Sequence, residues 1–281
     1  MAGKKRGRPS DSYAKALKAR TQYTWARERT GLNDSQLDAR YSGKALGKAR
    51  DSADRTYDFS NAKYPYKGRP LPQDVVLALE SDPATQGILH ITGSTFWKIL
   101  AEPAETRAKA TAQVKMCLRP LGLIRLPLLH EERWIAMVRQ RSVTERLLDV
   151  ERFDDSLEAA RGRLEQLIAQ YPRNLDVVAL LAALYREAHL SFELVCAEWL
   201  GIRFWMCLQD FLDQDGLRAM EGVLDDYAVN RIVYGRSERE SIKSFSPRSS
   251  HRLPGYGIGL LLPKDDLLVQ GVLHCAEKEQ E

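Results

Sequence analysis

The sequence predicts a mainly α fold: an N-terminal helix-turn-helix-like module, then an α-helical domain that ends in a short C-terminal β segment. Three observations carry that expectation. In DDSLEAARGRLEQLIAQYP, residues Leu157, Ala160, Leu164, Leu167, Ile168 and Tyr171 recur at 3, 4, 3, 1, 3 spacing, one apolar stripe on a helix. Between Thr21 and Gly43 two short helical patterns meet at a glycine. After Gly235 the pattern changes to arginine- and serine-rich chain and then to alternating glycines, Gly255, Gly257 and Gly259, among apolar residues. With 281 residues the chain can bury a sizeable core, enough for roughly one or two domains.

In chain order, residues 1–11 read as a disordered basic arm at a free chain end, with Lys4, Lys5, Arg6, Gly7, Arg8 and Pro9 as its working part. Glycine lets the backbone approach a groove floor, proline keeps the chain extended, and the arginines reach sideways into negative potential. These residues resemble the core of an AT-hook, which implies binding in the narrow minor groove of A·T-rich DNA. The same composition also suits a solvated terminus.

Residues 12–81 form the expected DNA-binding module. A helix begins near Ser12, favoured by alanine, lysine and leucine. In TQYTWARERTGLNDSQLDARYSG, Tyr23, Trp25 and Ala26 can pack inward and Gly31 can end the helix. Asn33 or Asp34 can cap a second helix that places Leu37 and Tyr41 on its inner face. Thr30, Gly31, Leu32, Ser35, Gln36, Leu37 and Asp38 resemble the turn and second helix of the lambda-repressor-like (Xre-type) helix-turn-helix family, and the resemblance extends over roughly residues 20–80. Tyr64 and Gly68, Arg69, Pro70, Leu71, Pro72 resemble that family's glycine-x-x-x-proline turn, and Asp74 to Glu80 its next helix. The spacing departs from the family: Gly31 and Gly68 lie 37 positions apart, and the extra stretch GKALGKARDSADR is basic. The groove-reading helix is therefore either Arg55 to Lys63 or part of a remodelled module. Family geometry implies that side chains near the second-helix start and the third helix reach the major groove. Gln36 and Asn61 can pair bidentately with adenine, Arg55 or Lys63 can contact guanine or phosphate, and Lys67 and Arg69 add to the basic surface. A helical subdomain whose arginines are merely surface residues fits the same pattern. The tract is also similar to uncharacterised bacterial proteins with a later serine-x-x-tryptophan, here Ser94 to Trp97, which implies no named activity.

Residues 82–141 read as a connecting segment. Its apolar GILHITGSTFWKIL can cement the N-terminal module to the rest of the chain, and Pro120 and Pro127 make the next stretch extended chain or a short strand. Residues 142–235 are the expected core or dimerisation domain, in which Pro172 closes one helix and NLDVVALLAALYREAH forms a second, buried nearly all round. SFELVCAEWLGIRFWMCLQDFL has helix-turn-helix spacing at Ala197, Gly201 and Ile202. Its Phe204, Trp205, Met206, Leu208, Phe211 and Leu212 offer few donors for bases, so it reads as core, a subunit interface or, less well, an effector pocket. Residues 236–252 read as an exposed basic loop and 253–281 as a strand-like tail.

Charge points to the partner. Residues 1–70 hold 17 basic and 7 acidic residues, a net +10, whereas the remainder is −6. A basic excess confined to one end gives sequence-independent affinity for phosphate through counterion release, although a solvated face can carry it too. No apolar run suggests a signal peptide or a membrane span, and Cys117, Cys196, Cys207 and Cys275 lack metal-ligand spacing, so a cytoplasmic, nucleoid-associated protein with reduced thiols is expected. No nucleophile and base, phosphate loop or metal set is legible, and His130–Glu131–Glu132 lacks a second histidine one turn later. The expectation is a DNA-binding protein rather than an enzyme, with no cofactor, no membrane contact and a possible homodimer through the helical domain. A protein-interaction adaptor with a weak basic tether is the alternative.

Overall fold

The structure, a computed structural model, describes residues 13–41, 59–64, 68–123, 161–191 and 194–243. It is mainly helical, with no strand among the described residues. The arm at 1–11 and the expected β segment at 253–281 lie outside them.

Helix α1 (Tyr13–Thr30) buries Tyr13, Leu17, Tyr23 and Trp25, and its alanines 14, 16, 19 and 26 let neighbouring helices approach closely. It stops where Gly31 turns left-handed at φ 66° and returns its N–H to the Arg27 carbonyl at 2.8 Å. Helix α2 (Asp34–Tyr41) starts on a reciprocal cap. The Asn33 side chain accepts the Gln36 N–H at 3.0 Å, while Gln36 accepts the Asn33 N–H at 2.9 Å. Leu37 and Tyr41 then point inward, as the four-residue spacing predicts.

A 3-10 turn (Phe59–Asn61) and the Pro70–Leu71–Pro72 stretch lead to α3 (Gln73–Glu80), which buries Val75, Val76 and Leu79. Helices α4 (Ile88–Gly93), α5 (Phe96–Ala101) and α6 (Arg107–Leu118) come next. Over its described residues the expected connecting segment therefore carries three helices, and Phe96, Trp97, Ile99, Leu100 and Val114 belong to the main buried cluster. The expected extended chain after Leu118 begins instead as a turn closed by Gly122 N–H on the Arg119 carbonyl; residues 124–160 lie outside the described set.

Residues 161–170 form α7, ending before Pro172 as expected. Helix α8 (Leu175–Leu190), capped by Asn174, is buried nearly all round and packs against α9 (Leu194–Leu212), α6 and α5. Helix α9 runs unbroken through Gly201, so the second helix-turn-helix spacing makes no turn. Phe204, Leu208, Phe211 and Leu212 are buried as core, but Ile202 (37% exposed) and Met206 (41%) face solvent one turn apart. A helix with apolar residues around most of its circumference cannot bury every side against one core.

A 3-10 turn (Arg218–Met220) precedes α10 (Leu224–Ile232) and α11 (Glu238–Lys243). Helix α11 corrects the expected loop at 236–252 over its first part. Ser237 and Glu240 cap one another's N–H groups, and Ser241 is buried, so local capping and packing outweigh the polar composition. Buried Arg186 ties α8 to the α5–α6 loop and to α10 by donating to the Ala104 carbonyl at 3.1 and 2.8 Å and to the Ile232 carbonyl at 3.4 Å. Its charge is satisfied by carbonyl dipoles, and burial lowers its pKa.

Candidate nucleic-acid interface

Helix α2 presents Ser35, Gln36, Ala39 and Arg40 to solvent because Leu37 and Tyr41 claim its inner side. Beside it lies the chain from Phe59 onward. The Phe59 N–H donates to Asp38 Oδ1 at 2.8 Å, and Ala62 closes the 3-10 turn on the Phe59 carbonyl at 3.0 Å. Gly68 N–H then donates to the Tyr64 carbonyl at 3.0 Å. A Cβ at Gly68 would lie 2.8 Å from the Ala62 carbonyl oxygen, 2.9 Å from that of Tyr64 and 3.3 Å from that of Ala16. Only glycine fits this approach of chain to α1. Fully buried Gln22 completes the anchoring, accepting the Leu71 N–H at 3.0 Å and donating to Thr92 Oγ1 at 2.8 Å.

Asp34, the first residue of α2, links three elements electrostatically. One carboxylate oxygen accepts a hydrogen bond from the Tyr23 hydroxyl and the other pairs with Lys63 Nζ at 2.6 Å. Arg27 Nη1 in turn donates to the Tyr23 hydroxyl oxygen at 3.1 Å. The hydrogen bonds from Lys63 and Tyr23 hold the Asp34 carboxyl below its ordinary range, while burial and the neighbouring carboxylate raise the Tyr23 phenol. Arg40 makes a second pair with Asp82 at 2.6 Å, and the same carboxylate oxygen accepts the Tyr41 hydroxyl at 2.6 Å. Burial, then that hydrogen bond, pushes the Tyr41 phenol up to about 12. Arg29 stacks on Trp25, its guanidinium carbon 3.8 Å from the ring centroid, and donates to the Asp215 carbonyl at 3.1 Å.

Among the residues expected to contact DNA, Gln36, Asn61, Lys63 and Arg69 fall within the described set, and all four are exposed. Gln36 and Lys63 belong to one neighbourhood around the start of α2, and Asn61 ends the turn that Asp38 anchors. Asn61 sits in a 3-10 turn and Lys63 in the bend after it, so the described end of the stretch from Arg55 to Lys63 is not α-helical. The Gln36 side-chain oxygen is committed to its cap. Lys4, Lys5, Arg6, Gly7, Arg8, Pro9, Arg55 and Lys67 lie outside the described residues. The sequence reading missed Asp34, Tyr23 and Arg27 as a connected set. The four-residue step from Tyr23 to Arg27 was visible in the chain, but the 29-residue separation of Asp34 from Lys63 hid that pairing.

Two other sequence features find structural explanations. Ser94 and Thr95 hydroxyls and the Thr95 N–H all donate to Asp176 Oδ1, at 2.8, 3.2 and 3.0 Å. Trp97 Nε1 donates to the Ile91 carbonyl at 2.7 Å, so the serine-x-x-tryptophan fastens α4 and α5 to the start of α8. The cysteines Cys117 and Cys207 are buried, and burial pushes their thiols up to about 12 and about 11. A cleft of about 320 Å³ between α7, α8 and α9 is lined by Ile168, Tyr171, Val177, Arg203 and Cys207; Phe204, Trp205 and Phe211 are not among its walls. The described residues contain no group of three His, Cys, Asp or Glu side chains able to hold a metal ion, and none of their helices is long and apolar enough to cross a membrane. No protein-family model matches the chain, and comparison with curated proteins and with solved structures finds no significant similarity.

Proposed function

We propose that the chain is a DNA-binding protein, of the kind that serves as a bacterial transcriptional regulator or a mobile-element accessory factor. The observation that carries this reading is the order of parts: a lysine- and arginine-rich RGRP arm, within a quarter of the chain at net +10, directly precedes two helices that meet at Gly31. The arm follows a minor groove through Arg6 and Arg8, and the helix pair of the lambda-repressor-like type docks beside it through α2 and the Asn61 to Arg69 chain. Phosphate contacts set affinity and position, while the few base-reading groups give modest specificity. The helical remainder forms a homodimer or receives a partner, and the protein works in the cytoplasm on the nucleoid, without a cofactor.

Selection from random duplex pools tests the reading, with the full chain and a form lacking residues 1–11 compared at two salt concentrations and the retained pools sequenced. A motif enriched by both proteins supports a folded reader. Enrichment of A·T-rich DNA by the full chain alone assigns binding to the arm, and enrichment by neither rejects the proposal. The exposed Ile202 and Met206 pair on α9 favours a second reading, a protein-interaction adaptor with a weak basic tether. That reading expects slight, salt-sensitive DNA affinity without sequence preference.

A further inference from the structure

The basic residues at the start of α2 are not idle in the free protein. Lys63, on the chain beside α2, is paired with Asp34 at 2.6 Å, and Arg27 reaches the same carboxylate through the Tyr23 hydroxyl, to which it donates at 3.1 Å. The Lys63 side chain is 44% exposed and that of Asp34 27%, so the pair is accessible to a competing anion. Exposed ion pairs contribute little to stability, which leaves such an exchange thermodynamically easy. The carboxylate is an acceptor-only anion with two oxygens, each already engaged by a donor from a different element. A phosphodiester offers the same acceptors with the same single charge.

We propose that Asp34 is an internal stand-in for a DNA backbone phosphate: in the free protein it occupies Lys63 and the Tyr23–Arg27 pair, and a bound duplex takes its place. This inference rests on the DNA-binding reading and specifies how that surface is regulated. The exchange leaves the Lys63 contact adding little net affinity, because the phosphate gained there costs the protein its own ion pair. Tyr23 and Arg27 stay in register during the exchange because α1 carries both, one turn apart.

The test is a double-mutant cycle on the full chain, read by fluorescence anisotropy with a labelled random-sequence duplex at salt concentrations between about 50 and 200 mM. Asp34→Asn is expected to tighten binding about 3- to 10-fold at the lowest salt and to steepen the salt dependence by about one counterion. Lys63→Gln is expected to change affinity less than about twofold in the wild-type background and to erase the gain in the Asp34→Asn background. Additive effects overturn the inference, since removal of any nearby negative charge then suffices. As a second measurement that needs no variant, lysine acetylation of the wild-type protein is mapped with and without excess duplex. Protection of Lys63 by DNA supports the exchange, and unchanged modification overturns it. Failure of the wild-type protein to bind any duplex at the lowest salt rejects the DNA reading and this inference together; binding with additive effects rejects the inference alone.

Discussion

Gly68 shows how a single position can fix a functional surface. Three backbone carbonyls stand within 3.3 Å of where a Cβ would lie, so an added methyl must push chain against chain. Gly68→Ala is expected to destabilise the protein by about 1–3 kcal/mol, read as a lower urea midpoint; an unchanged midpoint would show that the approach to α1 is loose. Gly31 makes the opposite case: open space surrounds its Cβ position, and only its φ of 66° penalises a side chain, so Gly31→Ala is expected to cost about 1 kcal/mol. At Asp226 the cause is electrostatic. Burial, reinforced by Asp225 beside it, raises its carboxyl to about 6. A carboxyl raised on folding contributes stability that is complete below its unfolded value near 3.8 and is lost as pH rises through about 6. Because the group is only partly buried, the loss is discounted to about 1 kcal/mol. Asp226→Asn is therefore expected to raise the urea midpoint more at a pH about 1.5 units above that carboxyl value than at a pH as far below it. Equal shifts at both pH values would contradict the assignment.

Helix α9 shows what an element's own pattern can and cannot say. Its apolar content predicted that Phe204, Leu208, Phe211 and Leu212 are buried, and they are. Which side faces inward was not legible, since apolar residues occupy most of the circumference and only the neighbouring helices select the buried face. Phe204→Ala is expected to cost about 3–5 kcal/mol in chemical unfolding, whereas Ile202→Ser should stay within about 0.5 kcal/mol. Similar losses at both positions would mean that another surface covers Ile202. Helix α11 was read as loop because its composition is charged and serine-rich. Yet Ser237 and Glu240 spell a capping box, and the capping signal was present in the sequence while the burial of Ser241 was not. The cap of α2 was more legible. Asn33 was one of the two residues named for it, and Asp34 turns instead to Tyr23 and Lys63.

Across the whole molecule, one buried cluster extends from Tyr13 to Val233. The Tyr13 and Tyr227 rings meet edge to face at 4.8 Å, and Arg29 reaches the Asp215 carbonyl, so α1 is fastened to the far end of the described chain. A fragment of residues 1–81 exposes the surface that α1 buries against α4, α5 and the Arg218–Met220 turn. It is expected to give no cooperative thermal transition by circular dichroism, and a sharp transition would make the N-terminal module an independent domain. Helical periodicity, glycine and proline punctuation and the basic excess at one end are local properties, so the sequence by itself determined the mainly α class, the stop at Gly31, the inner faces of α2 and α8, and where positive charge concentrates. The tertiary structure alone decided that α4, α5 and α6 fold into the main core, that α9 turns Ile202 and Met206 outward, and that Asp34 meets Lys63. Those outcomes depend on which surfaces compete for burial and on charges brought together from distant positions, neither of which is carried by spacing along the chain.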